Sequence, residues 1–142
     1  MKKALYFLLT IFAVSLINIY YQWYLNYSWF DQVLHFSGGL FIAMFFSAYL
    51  KEHLFGNSKL KNTLIILGVT SFIGVTWEFA EYIANQILIE PFYRYFQIHV
   101  YFMGDLNDTV NDLLMDILGA GVFSIVLHSL RSREAHQVKT NL

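Results

Sequence analysis

The sequence predicts an all-α membrane protein: a bundle of four transmembrane helices with interfacial aromatic loops on the outer side. Of its 142 residues, 57% are hydrophobic and only 13% are charged, whereas soluble domains average about 25% charged residues. Four apolar segments each approach the roughly 20 residues that a helix needs to span a bilayer. No cysteine is present, which excludes a disulfide framework and a cysteine-type zinc site. We therefore expect one membrane domain over residues 1–142.

Basic residues set the orientation of the four segments, which cover about residues 4–21, 33–50, 62–89 and 109–130. Eight of the nine Lys and Arg residues lie before the first segment, between the second and third, or after the fourth. By the positive-inside rule, both termini are then cytoplasmic and the other two loops face outward.

The N-terminal segment has a second interpretation. Met1 to Ser15 has a basic start and an apolar core, and Ala13-Val14-Ser15 resembles a signal-peptide cleavage site. The apolar run continues to Tyr21, however, which favours a retained transmembrane helix.

The two outer loops are rich in aromatic residues. Residues 20–30 and 92–102 are dense in Tyr, Trp and Phe, as is typical of a membrane interface. We expect short amphipathic stretches there that lie on the outer surface. The polar tail from Arg131 is expected to fray.

Most of the acidic residues lie at the outer ends of these segments and in helical register. Residues three or four apart share a face of a helix, and each of the last three segments carries such a set. The sets are Asp31 with His35, Glu78 with Glu81, and Asp105 with Asp108, Asp112 and Asp116. The first segment adds a polar face of Ser15, Asn18 and Gln22. One shared site at the outer end of the bundle is the natural arrangement.

The negative charge of these acidic residues needs a positive charge to balance it. A charged side chain near the bilayer centre costs roughly 2.5–3.5 kcal/mol on insertion scales, so unpaired acids are rare there. Arg94 is the only Lys or Arg on the same side of the predicted bundle. A bound cation is therefore the leading candidate for the balancing charge.

Helix capping is the simpler alternative for some of these acids. Asp31 could cap the second helix, and Asp105 or Asp108 could cap the fourth. Capping cannot account for Asp112 and Asp116, which lie one to two turns inside the segment.

Other residues near the acids have mainly structural interpretations. Trp77 is expected to pack or to lie at the interface, with substrate contact as the alternative. The glycines in these segments are expected to allow close helix packing; they are Gly38, Gly39, Gly74, Gly119 and Gly121.

Carboxylates with one imidazole suit divalent cations such as Mg, Mn, Ca or Zn. The expected metal ligands are His35, Glu78, Glu81, Asp112 and Asp116. The expected catalytic groups are Asp108, first in line as general base, Asp105 and Asp31. A lone histidine on an apolar face would more often be a core residue, but the acids on the other segments favour a ligand. Two metals about 4 Å apart would clamp a phosphoryl group and activate water; without metal, crowded acids would share protons.

The order of these motifs resembles that of a known family. Asp-x3-His-Phe from Asp31, the acidic pair from Glu78, and Asp-x2-Gly-Ala-Gly from Asp116 are similar to motifs of VanZ-like small membrane proteins. They are more similar still to a related group of bacterial inner-membrane proteins typified by YjdF. The resemblance covers about residues 31–121. VanZ-like proteins have Glu-x2-Gln and a nearby Arg where this chain has Glu78-x2-Glu81.

The resemblance implies a place in the bacterial cytoplasmic (inner) membrane and a role in cell-envelope or lipid chemistry, since VanZ-like proteins are associated with glycopeptide resistance. The leading hypothesis is a metal-dependent hydrolase or transferase acting on a lipid or lipid-linked phosphate. The alternatives are a proton- or cation-coupled transporter or channel, which would need a homo-oligomer, and a non-catalytic envelope-binding protein. No phosphate loop, serine elbow or basic patch for nucleic acid is present.

Overall fold

The predicted helical membrane fold is confirmed. The structure is a computed structural model that describes residues 1–21, 23, 27–52, 54 and 58–140. These residues form five helices and no strand. The helices are α1 Lys2–Tyr21, α2 Ser28–Tyr49, α3 Lys59–Ile87, α4 Ile89–Phe96 and α5 Leu106–Thr140. All except α4 contain a stretch long and apolar enough to cross a membrane.

The helix boundaries differ from the predicted ones where local chemistry extends or stops a helix. α2 begins at Ser28 rather than near Val33, so Asp31 lies in its first turn; the capping position is Tyr27, whose side chain makes no capping hydrogen bond. Asp31 is therefore not the capping residue, and its place in the first turn is one where an acid favours the helix dipole. α3 begins after Ser58, whose Oγ accepts a hydrogen bond from Lys61 N–H at 3.3 Å.

α3 ends shortly before a proline that lies in the first turn of α4. The ring of Pro91 would clash with the carbonyl of Ile87 in a continuous helix, and α3 ends at Ile87. The chain resumes as α4, an amphipathic helix in the expected aromatic region.

The fraying expected from Arg131 onward is not seen up to Thr140, where α5 ends. Most residues of this tail are reasonable helix formers, and neither Gly nor Pro interrupts them. The tail therefore continues the helix beyond the apolar stretch.

Two glycines bring α2 and α5 close together. A Cβ on Gly119 would collide with the carbonyl oxygen of Phe36, and a Cβ on Gly39 would collide with the backbone of Asp116. Gly121 meets nothing within 4 Å among the described residues, so the packing role expected for it is not seen. We call the contact between α2 and α5 the seam.

The bundle is packed less tightly beside α1 than elsewhere. α3 packs on α5 and α2, whereas the backbone of α1 comes close to that of α2 alone among the described helices. At the acidic end of the bundle, α2 and α5 begin and α3 ends. Away from that end lies an apolar core cluster of Ala43, Leu54, Ile66 and Ala120.

Candidate metal centre

The imidazole of His35 lies between two carboxylates of α5. Its Nδ1 is 3.6 Å from Asp116 Oδ2, and its Nε2 is 4.0 Å from Asp112 Oδ2. All three side chains are at most 7% exposed. These distances allow electrostatic attraction but exceed the usual length of a hydrogen bond. The seam thus brings His35 close to Asp112 and Asp116, the two acids that lie farthest inside the apolar stretch of α5.

Carboxylates from α2 and α3 also approach the imidazole. Asp31, His35 and Asp112 each offer one ligand atom, and these three atoms lie within 4.8 Å of one another. The same holds for His35 with Glu78 and Glu81. Calcium binds oxygen at 2.3–2.6 Å, so ligands on opposite sides of such an ion lie about 5 Å apart. The spacing is therefore compatible with ligands around one cation.

Two buried carboxylate oxygens have no hydrogen-bond partner among the described residues. They are Glu78 Oε1 and Asp112 Oδ1, and their residues are 6% and 2% exposed. The Thr109 hydroxyl lies near the Glu78 carboxyl group, but its geometry does not meet that of a hydrogen bond to Oε1. A buried acceptor without a donor costs about 1–3 kcal/mol, and more when charged. Such groups in a folded protein call for an explanation, among which are a bound water, a bound ion and a catalytic role.

Asp116 fits between two glycines. A Cβ on Gly74 of α3 would collide with Asp116 Oδ2, and a Cβ on Gly38 of α2 would lie 3.9 Å from Oδ1. Gly74 therefore makes room for a carboxylate, rather than bringing helix backbones together as the sequence suggested.

Trp77 orients the carboxylate of Glu81. Its indole Nε1–H donates a hydrogen bond to Glu81 Oε1 at 2.7 Å. Its ring also meets the ring of Phe12 of α1 edge-on, with centroids 6.1 Å apart. Trp77 thus packs against α1, as expected, and also contacts the predicted ligand Glu81. In the sequence, only the spacing of four residues between Trp77 and Glu81 indicates this contact.

Asp105 and Asp108 line a cavity next to the site and do not belong to the groups of potential ligands around His35. Asp105 Oδ1 accepts a hydrogen bond from Asp108 N–H at 3.0 Å, so the capping alternative holds for Asp105. Both residues line a polar cavity of about 330 Å³ together with Asp31 and Glu81. Their catalytic roles remain predictions.

Asn85 anchors the segment that leads into α5. Its Nδ2 donates a hydrogen bond to Met103 O at 3.1 Å, and its Oδ1 accepts one from Phe102 N–H at 2.7 Å. By helical spacing, Asn85 shares the face of α3 that carries Glu78 and Glu81. These contacts hold the start of α5 against the end of α3. They therefore also set the position of the acidic residues of α5 relative to α3.

The polar face of α1 reaches the same region. Ser15 and Asn18 line the polar cavity, whereas Gln22 lies outside the described residues. Asn18 is 4% exposed, and its Oδ1 has no hydrogen-bond partner among the described residues.

Fold and site together define a helical membrane protein with a buried acidic cluster. The chain belongs to the family described as "Predicted membrane protein (DUF2238)", whose model matches residues 1–133. It is also 28% identical over 120 residues to a protein of Thermotoga maritima that is described as an uncharacterized protein. That match covers 84% of this chain and 58% of the relative. No solved structure matches the chain.

Proposed function

We propose that the acidic cluster binds a divalent cation and that the protein is a membrane hydrolase or transferase acting on a lipid or lipid-linked phosphate. The observation that carries this proposal is the pair of buried, partnerless oxygens, Glu78 Oε1 and Asp112 Oδ1, beside the imidazole of His35. A cation would supply the missing partner for both.

The proposed ligands come from three helices. They are His35 of α2, Glu78 and Glu81 of α3, and Asp112 and Asp116 of α5. A bound divalent ion such as Mg, Mn, Ca or Zn would act as a Lewis acid and hold the phosphate. This role suits the site because no Lys or Arg is among the residues that line the polar cavity or that approach His35 as potential ligands.

The remaining acids lie where a general base is needed. Asp108 and Asp31 line the polar cavity next to the proposed ligand Glu81. We assign Asp108 as the first candidate to accept a proton from water, with Asp31 and then Asp105 after it. The similarity to VanZ-like and YjdF-type proteins supports an envelope or lipid substrate.

Metal content tests the proposal. Purified wild-type protein should retain a divalent metal by elemental mass spectrometry, and a chelator should remove it. His35→Ala should lose most of that metal, because the imidazole belongs to both groups of potential ligands. Glu52→Gln removes an exposed acid outside the cluster and should retain it. Wild-type protein that carries no divalent metal under any purification condition would contradict the assignment.

We further propose that the site faces the outside of a bacterial cytoplasmic membrane, with both termini inside. The split of basic residues supports this orientation. A cysteine at Arg94, in exposed α4, should react with an impermeant thiol reagent applied to intact cells. A cysteine at Lys59, at the other end of α3, should not react. The reverse pattern would overturn the orientation.

A proton- or cation-coupled transporter is the second candidate, and buried polar residues beyond the acids favour it. Thr70 and Ser124 are buried away from the acidic end, and Thr63 Oγ1 lies 2.9 Å from His128 Nε2. The apolar cluster around Ala43, Ile66 and Ala120 instead favours a site closed on that side. Proton or cation flux in proteoliposomes would favour transport over the enzyme.

A further inference from the structure

We propose that a bilayer lipid enters this site sideways between α1 and α3. Its chain occupies an apolar cavity, and its headgroup, which carries hydrogen-bond donors, occupies the polar cavity. The proposal deepens the proposed function, on which it rests for the reaction, by assigning the parts of the substrate to parts of the protein.

Two cavities of different character meet at the site. The chain cavity, of about 140 Å³, is mainly apolar and is lined by residues such as Leu8 and Ile11 of α1 and Ile42 of α2. The headgroup cavity is the polar cavity of about 330 Å³ described above. Such an apolar pocket joined to a few polar groups is typical of ligand sites.

The gap between α1 and α3 gives the chain cavity a route to the bilayer. α1 packs on α2 and makes no close backbone contact with α3 in the described part of the chain. The chain cavity is partly open and is lined from both helices, by Leu8 of α1 and Ile73 of α3 among others. The edge of Phe12 against Trp77 is a side-chain contact across this gap. In a membrane, lipid chains are the apolar groups adjacent to such an opening.

The headgroup cavity presents acceptors. Four carboxylates line it, and Asn18 adds the buried Oδ1 that lacks a donor. Because an unsatisfied buried acceptor is costly, the complementary headgroup carries donors. Hydroxyl groups and an ammonium group both meet this requirement, whereas a quaternary choline does not.

The two cavities share three lining residues, Ser15, Asp31 and Glu81. In a phospholipid, the phosphate joins the headgroup to the chain-bearing glycerol. A lipid that fills both cavities therefore places its phosphate at this junction. Asp31 and Glu81 also belong to the groups that approach His35, so the phosphate would lie beside the proposed cation.

Photocrosslinking from lipid vesicles tests the arrangement. Wild-type protein is reconstituted in phosphatidylcholine vesicles with a trace of lipid carrying a diazirine in its chain. The headgroup of that lipid is ethanolamine, glycerol or choline on identical chains. We expect ethanolamine or glycerol lipid to label the chain cavity about three- to tenfold more than choline lipid, the effect of one or two added hydrogen bonds. Mass spectrometry locates the label.

Two matched pairs of variants test whether the lipid chain and the headgroup occupy the cavities proposed for them. Leu8→Trp should block labelling of the cavity, whereas Leu9→Trp, at a neighbouring residue that is 56% exposed, should leave it unchanged. Asn18→Leu should remove the preference for donor-bearing headgroups, and Asn18→Asp, which keeps an acceptor, should restore it. Thermal unfolding confirms that each variant is folded, and label on the bilayer-facing surface provides the internal reference.

The outcomes separate this inference from the proposed function, because the metal content of the same preparations is measured in parallel. Choline lipid that labels the cavity as strongly as the others, or label that Leu8→Trp leaves unchanged, overturns the lipid assignment even if metal is bound. Selective labelling in protein without metal upholds the lipid cavity and contradicts the metalloenzyme instead.

Discussion

The two sides of the acidic site are built in opposite ways. On one side, the seam joins α2 and α5 through Gly39 and Gly119, and backbone atoms leave no room for even a methyl group. On the other side, the backbones of α1 and α3 make no close contact within the described residues, and a cavity lies between the two helices. The seam carries His35, Asp112 and Asp116. The cavity on the open side is mainly apolar, and it reaches His35 and Asp116 from the direction of α1.

The tightly packed side holds the site in place, and the loosely packed side gives access to it. Groups that bind an ion must keep their geometry, which rigid packed elements supply. A substrate dissolved in the bilayer needs a lateral path, which tight packing would close. The molecule places the tight packing behind the imidazole and the loose packing in front of it. Changes on the seam should therefore alter stability most, and changes nearer the gap should alter binding.

The largest effect on stability is expected from the seam itself. Gly119→Ala should lower the free energy of unfolding by about 1–3 kcal/mol, as overpacking does, because its Cβ would meet the carbonyl of Phe36. Gly121→Ala, in the same helix, meets nothing within 4 Å of the described structure. It should be neutral or stabilising by at most about 1 kcal/mol. Thermal or denaturant unfolding in detergent measures both; equal effects would disprove the close seam.

An intermediate effect, on metal affinity, is expected from the glycine of α3 that faces the carboxylate of Asp116. Gly74→Ala places a methyl group against Asp116 Oδ2, so the carboxylate must leave its position beside His35 Nδ1. We expect divalent metal affinity to fall about 10–100-fold, as when groups that orient ligands are changed. Isothermal titration measures this affinity.

The matched control is Gly68→Ala, whose Cβ has open space around it among the described residues. It lies on the same helix and should leave metal affinity unchanged. Unchanged affinity in Gly74→Ala as well would mean that Asp116 is not a ligand.

The smallest effect is expected at the edge of the gap. Trp77→Phe removes the hydrogen bond to Glu81 and keeps an aromatic ring against Phe12. A hydrogen bond to a charged group contributes roughly 1.5–3 kcal/mol, part of which the carboxylate recovers from water or metal. Metal affinity should fall only a few-fold. Trp29→Phe changes an indole that is 59% exposed and should have no effect; similar losses in both would assign Trp77 to packing alone.

The sequence predicts the four spanning helices well because hydropathy and length determine them almost alone. It also predicts which acids share a face, since this follows from helical spacing. The register between helices does not follow from spacing: that His35 lies between Asp112 and Asp116 depends on how the seam glycines pack.

Features that depend on contacts distant in sequence are missed for the same reason. The role of Asn85 in anchoring residues 102 and 103 needs the loop to fold back on α3. The gap beside α1 reflects an absence of packing, for which an apolar sequence carries no signal. The capping by Asp105 was one of two open alternatives, because acids near a helix start suit both capping and catalysis.

The most direct test of the central claim, that these carboxylates and His35 hold one divalent cation, is thermal stability in metal and in chelator. A ligand that binds only the folded state stabilises it by about 2.7 kcal/mol at a hundredfold excess over its Kd. Wild-type protein should gain stability with at least one of Mg, Mn, Ca or Zn at pH about 6–8, where ordinary carboxylates are ionised. Asp112→Asn should lose most of this gain, while Glu90→Gln, an exposed acid on α4, should keep it. No metal-dependent gain in wild-type protein across that range would contradict the claim and leave a shared-proton cluster in its place.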